Sequence, residues 1–157
     1  MNLPLIRKLG DPALRRKAEP VVEYDQKLHD LLDKLTAVMK ENNGLGLAAT
    51  QIGVGKAVAV VRLGEDFPVI ELVNPEIAEC NGCEVGLEGC LSVPGVYGEV
   101  ERHGQITVNF FDRHGKEQQI TATGLLARAL QHEIDHLNGV VFIDKVIRYV
   151  DEGQEVE

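Results

Sequence analysis

At 157 residues, 44% of them hydrophobic, the chain suits one compact domain with a core of its own, and a single domain over 1–157 is expected. A formal net charge of −9 lacks the basic footprint of a nucleic-acid binder, so direct sequence-specific nucleic-acid binding is not expected. No apolar run reaches the roughly eighteen residues that a membrane-crossing helix requires, so no membrane partner is expected either.

In chain order, Met1 to Gly10 carries Arg7 and Lys8 with no long apolar run behind them and does not read as a secretory leader, which makes the cytoplasm the expected location. The basic residues Arg7, Arg15, Arg16 and Lys17 read as a solvated helix face. Asp11-Pro12 opens a short helical turn that Pro20 stops. From Asp25 to Asn42, Leu28, Leu31, Leu32, Leu35, Val38 and Met39 recur at helical spacing, with Asp25 as N-cap and Asn43-Gly44 as the stop. Gly44-Leu45-Gly46-Leu47-Ala48-Ala49-Thr50-Gln51 is a loop of small residues that packs closely or admits another backbone. Ala57 to Leu63 reads as a buried strand and Val69 to Val73 as its neighbour. Ile106, Val108 and Phe110 alternate with Thr107 and Asn109 as a half-buried strand, Asp112 to Gly115 turns, and Glu117 to Ala122 returns. Gly124 to Asn138 is helical and Gly139 terminates it. Strands without a repeating strand-helix-strand order give the fold class α+β, mainly antiparallel sheets around a helix that carries the pattern described next.

That pattern is His132-Glu133-Ile134-Asp135-His136. Residues four apart share one helix face, so both imidazoles reach a single metal ion, and Glu133 is placed to take a proton from a water there. A hydrolytic centre needs a third protein ligand. The extended peptidase pattern fails, because its last histidine falls on Phe142, and downstream there is only an acidic tail with Asp151, Glu152, Glu155 and Glu157, which reads as frayed. Upstream, Cys90 in Glu88-Gly89-Cys90-Leu91-Ser92 is the best candidate, a thiolate suited to Zn²⁺ or Fe²⁺. Cys80 and Cys83 are rivals and would close a structural site with His132 and His136; the plainer reading makes Asn81-Gly82 a hairpin turn between two small strand residues. An odd count of three cysteines argues against a disulfide framework.

Three segments together resemble peptide deformylases: the G-Φ-G-Φ-A-A-x-Q run at 44–51, E-G-C-L-S at 88–92 and Q-H-E-x-D-H at 131–136, in family order. The resemblance spans nearly the whole chain, from Asp11 to about Asp144. It implies removal of the formyl group from the N-terminal methionine of nascent proteins. It also implies a single divalent metal on Cys90, His132 and His136, Fe²⁺ in the cell with Zn²⁺ or Ni²⁺ able to replace it. Glu133 is then general base and acid, and the Gln51 side-chain amide and the Leu91 N–H form the oxyanion hole.

For the substrate, glycines 44, 46 and 89 are read as letting a peptide backbone lie close, with an apolar pocket from Leu45, Leu126, Ala129 and the His132 ring. Arg128 stands where some relatives have an apolar pocket residue; its stem is expected to line the pocket with its charge in solvent. Tyr97 stands where some carry arginine and is assigned no contact. Glu88 and Arg102 are read either as a pair holding the Cys90 loop or as two independent surface charges, and Asp135 as bonding a neighbouring loop or facing water. Some relatives dock on the ribosome through a C-terminal helix; behind this short acidic tail a transient contact is the most that is expected. The other readings are a small zinc peptidase, which also needs His132, Glu133 and His136, and a zinc-stabilised module in which Glu133 is dispensable.

Overall fold

The computed structural model describes residues 3–150, so the acidic tail with Asp151, Glu152, Glu155 and Glu157 lies outside the described residues. Among the described residues, two α-helices and eight strands follow in the order α1 (Gln26–Glu41), β1 (Gly46–Ala48), β2 (Val58–Val61), β3 (Ile70–Asn81), β4 (Glu84–Cys90), β5 (Val93–Arg102), β6 (Gln105–Phe111), β7 (Glu117–Thr123), α2 (Gly124–Leu137) and β8 (Val146–Val150). The fold is α+β. A five-stranded sheet runs β1-β2-β3-β6-β7 and a three-stranded sheet runs β4-β5-β8. Each strand pairing within them is antiparallel.

The helix ends follow their capping chemistry. The Asp25 carboxylate accepts from the Leu28 N–H at 3.1 Å, and the stop comes through Asn43, which takes a left-handed φ of 55° while Gly44 returns its N–H to the Met39 carbonyl. Asp11 caps a 3₁₀ turn over Pro12–Arg15 by accepting from the Ala13 N–H at 2.9 Å. This turn ends at Arg15, well before Pro20, because Arg16 is already extended.

The unbroken apolar run of β2 has a simple cause: the strand is covered on both faces. Val58 and Val60 join a buried cluster with Leu32, Leu35 and Met39 of α1, while Ala59 and Val61 join another with Leu130 and Ile134 of α2. The large sheet is thus packed between the two helices. A third, smaller cluster of Leu14, Val93, Val100, Val141 and Phe142 lies under the three-stranded sheet.

The hairpin expected at Asn81-Gly82 is not formed. β3 pairs with β6 up to Asn81↔Gln105, and β4 begins pairing with β5 at Glu84↔Arg102. The chain therefore continues from one sheet into the other instead of folding back. A two-residue hairpin of this Asn-Gly type needs a positive φ at both positions, and only Gly82 has one, at 71°.

Gly139 closes α2 with a φ of 76°, and a Cβ there would lie 2.5 Å from the Arg15 carbonyl oxygen. Both the dihedral and the backbone contact forbid a side chain. Gly139→Ala is expected to lower unfolding free energy by more than about 1 kcal/mol, read as a lower urea midpoint at unchanged m-value.

Candidate metal centre and its cleft

Helix α2 buries Ala127, Leu130, Ile134 and Leu137 against the large sheet. That leaves Leu125, Ala129, His132 and Glu133 along a cleft of about 530 Å³. Cys90 arrives from the other sheet. Two steps along β4, from Glu88 to Cys90, oppose five along β5, from Gly98 to Val93, so the register shifts by three residues before Cys90 pairs with Val93 across the Leu91-Ser92 turn. An irregularity of this kind bends the pair and re-aims the side chains beside it.

Three donor atoms converge. Cys90 Sγ lies 3.3 Å from His136 Nε2, which lies 3.2 Å from His132 Nε2. Ligand atoms bound tetrahedrally at zinc distances stand about 3.3–3.6 Å apart; these two separations suit a divalent ion, and all three atoms lie within 4.8 Å of one another. Among the described residues, Cys90, His132 and His136 form the His/Cys/Asp/Glu group with metal-binding spacing. Cys80 and Cys83 are exposed and do not join it. Phe142, where a peptidase would need its last histidine, stacks on the His132 ring at 6.1 Å.

Behind the donors sits a buried charge cluster. Glu88 Oε1 bonds His132 Nδ1 at 2.9 Å, which leaves Nε2 of that ring for a metal. Arg102 donates to both Glu88 oxygens at 2.8 Å, and Arg128 Nη1 donates to Oε2 at 2.8 Å. Glu88 and Arg102 are thus a buried pair rather than independent surface charges. Burial alone would raise the Glu88 pKa, but Arg102 and His132 hold it well below the usual carboxylate range. Arg102 also reaches Asp135 at 2.5 Å, so Asp135 bonds a neighbouring strand, and Lys145 meets the same carboxylate at 3.0 Å. The charge of Arg128 does not reach solvent as expected: it is held by Glu88 and by the carbonyls of Val100 and Glu84, both at 2.9 Å, while its stem lines the cleft.

Glu133 is buried, its Oε1 has no hydrogen-bond partner, and burial pushes its pKa up to about 7. Burial also drives the His136 pKa well down, keeping that imidazole neutral as a metal ligand must be. Gln51, 2% exposed, is fixed at both ends of its amide. Oε1 accepts from the Ala48 N–H at 3.0 Å, and Nε2 donates to Ser92 Oγ at 3.0 Å and lies 3.6 Å from Cys90 Sγ. Leu91 follows Cys90 in the turn and lines the cleft.

Of the expected substrate contacts, Gly44, Leu45, Gly46, Gly89 and Ala129 line the cleft and Leu126 does not. Leu126 packs toward the sheet, and its neighbour Leu125 takes the cleft position, because 125, 129 and 132 share a helix face that 126 leaves. The glycines also differ from expectation. A Cβ at Gly44 would lie 2.9 Å from the Leu91 side chain, at Gly46 2.6 Å from Glu133 Oε2, and at Gly89 2.8 Å from the Tyr97 ring. The room they leave is filled by the protein's own side chains. Sequence reasoning missed Ser92 as the partner of Gln51, Arg128 as a partner of Glu88, and Leu125; the first two are pairings across strands and loops with no local signal.

A family model described as polypeptide deformylase matches residues 4–151. A peptide deformylase of Halothermothrix orenii is 54% identical over 94% of this chain and 96% of its own. One of Thermoanaerobacter pseudethanolicus is 50% identical over 99% and 96%. The crystal structure of a peptide deformylase from Legionella pneumophila superposes with a TM-score of 0.90 at 44% identity, covering 92% of this chain and 86% of that one.

Removing Glu88 would leave Arg102 and Arg128 buried without their carboxylate and His132 without its orienting bond. Glu88→Ala is expected to cost about 3–5 kcal/mol in urea unfolding and to weaken zinc binding about 10–100-fold in a competition titration.

Proposed function

The chain belongs to the peptide deformylase family, and on that premise we propose that Cys90, His132 and His136 hold its metal while Glu133, Gln51 and Leu91 carry the reaction. The enzyme is a metal-dependent hydrolase that takes the N-formyl group from nascent peptides. The observation that most supports these assignments is the convergence of the Cys90 sulfur and two imidazole nitrogens within 4.8 Å of one another, beside Glu133, a buried carboxylate with an unpartnered oxygen.

A divalent ion on that set supplies Lewis acidity and a water acidic enough to ionise near neutral pH. Fe²⁺ is the proposed resident ion, and the mixed thiolate and imidazole donors also suit Zn²⁺ or Ni²⁺. Glu133 accepts a proton from the attacking water and returns it to the amine nitrogen as the C–N bond breaks, releasing formate and a free N-terminus. A carboxyl whose pKa is pushed up to about 7 suits both halves of that task. As the tetrahedral carbon forms, the formyl oxygen gains charge, which the Leu91 N–H and the Gln51 Nε2 hydrogen that otherwise points to Cys90 Sγ stabilise. The formyl carbon bears only hydrogen, so a crowded site excludes acetyl by clash. The first side chain, methionine, lies against Leu125, Ala129 and the His132 ring, and the peptide beyond it lies extended in the cleft.

The whole chain is read as one catalytic domain working in the cytoplasm. The proposed contact with the ribosome is at most transient, and direct sequence-specific nucleic-acid binding is not part of the reading. No helix among the described residues is long and apolar enough to cross a membrane.

Formate release from formyl-Met-Ala-Ser by protein loaded anaerobically with Fe²⁺, and separately with Ni²⁺ or Zn²⁺, tests the reading. Glu133→Gln should abolish release at full metal content; retained release would remove Glu133 from the mechanism. Gln51→Ala should lower kcat about 10²–10³-fold, the usual cost of one oxyanion donor.

A further inference from the structure

The two proposed oxyanion donors come from different halves of the molecule. Gln51 lies in a 3₁₀ turn, Ala49–Ile52, between two strands of the large sheet. Leu91 lies in the turn between two strands of the small sheet. Holding an oxygen between them requires a fixed spacing across the joint, to about 0.5 Å. One segment far away in sequence touches both. The Arg7 N–H donates to the Gln51 carbonyl at 2.7 Å, Lys8 Nζ to the Leu91 carbonyl at 3.3 Å, and the Leu9 N–H to the Ser92 carbonyl at 2.9 Å. Ser92 is in turn the residue whose hydroxyl receives the Gln51 amide.

The segment is anchored at both ends. Ile6 belongs to the buried cluster that contains Ile52, next to Gln51. Leu14, fully buried, belongs to the cluster that contains Val93, beyond the Leu91-Ser92 turn. The Arg7 guanidinium lies against Gly53, where a Cβ would stand 2.6 Å from Nη2, and is held by Asp11 at 3.1 Å. We propose that residues 6–9 are a strap that sets the spacing of the two oxyanion donors, with Lys8 and Leu9 as positioning residues for hydrolysis. This rests on the reading that Gln51 and Leu91 are those donors. Lys8 is exposed, so its loss leaves the core intact, and its bond to the Leu91 carbonyl holds the residue whose N–H is the proposed donor.

The test compares wild type, Lys8→Met, Lys8→Arg and Leu9→Pro, which lacks the N–H given to Ser92. Ni²⁺-loaded full-length protein is assayed for kcat and KM on formyl-Met-Ala-Ser. The Zn²⁺-loaded form is used for ¹⁵N resonances of the Leu91 amide and the Gln51 side-chain amide. In Lys8→Met, kcat should fall about fivefold with KM and metal content held, and both resonances should move. Lys8→Arg should restore most of the rate, and Leu9→Pro should lose more than Lys8→Met. Unchanged kcat in Lys8→Met and Leu9→Pro overturns the strap. So does a rise in KM alone, which would make Lys8 a substrate contact, or a loss of metal, which would make the segment a support for the ligands. Should Leu9→Pro not fold, Lys8→Met decides. If wild type releases no formate the functional reading fails, whereas wild-type turnover with indifferent variants fails the strap alone.

Discussion

The buried carboxylate of Glu88 is the contact on which the centre depends. It receives Arg102 through both oxygens, Arg128 through one and His132 through the other, all at 2.8–2.9 Å. These bonds join β4, the strand that carries Cys90, to β5 and to α2, the helix that carries both histidines. A buried ion pair is a poor source of net stability, because desolvation offsets much of its Coulomb energy. Its value here is geometric. With Nδ1 engaged by a carboxylate, the His132 ring has a fixed orientation and presents Nε2, and the carboxylate makes that nitrogen a more basic ligand. Arginine suits Arg102 for a reason lysine cannot meet: a planar fork reaches both Glu88 oxygens and still donates its remaining nitrogen to Asp135.

Around this hub the two sheets have separate work. The large one is covered by a helix on each face and holds α2 in place, so the histidine pair stands on a rigid element. The small one delivers Cys90 and Leu91 through a bulge and a tight turn. The cleft lies where they meet, and every proposed role is completed across that boundary: Cys90 with His136, Glu88 with His132, Gln51 with Ser92. Neither sheet alone contains the centre.

What the sequence made legible follows from this arrangement. His132 and His136 could be read as one face because helical periodicity is local, and Cys90 because the patterns around it were in register. β2 was legible because two covered faces leave an unbroken apolar run. β1, β4, β5 and β8 were not read as strands: β1 lies in the run of small residues expected to be a loop, β4 holds glycines at 86 and 89, β5 holds Pro94 and the glycines at 95 and 98, which weaken a strand signal, and β8 shows three of its five residues exposed. Apolar character alone does not separate Leu126 from Leu125, yet one step along a helix turns a side chain by about 100° and carries Leu126 off the cleft face. The partners of Arg128 sit on strands remote in the chain, so its exposure was misjudged where its position was not. Asn81-Gly82 carried a genuine hairpin signal, overridden because β3 and β4 each have a better partner.

The glycines of the first motif show why a short pattern can be right for a reason other than the one first given. Small residues before Gln51 suggested room for a second backbone, and the cleft does run past them. Yet none of Gly44, Gly46 and Gly89 has a positive φ, so backbone freedom is not what each position needs. What each needs is a missing methyl. Gly46 admits Glu133, whose carboxylate would otherwise be pushed from beside the ligands; Gly44 admits Leu91, and Gly89 admits the Tyr97 ring. The spacing of the motif is thus tied to the HExxH helix and the Cys90 loop by direct contact. Three segments distant in sequence thus meet at one place, which is why reading them jointly constrained the function more tightly than the metal pattern alone.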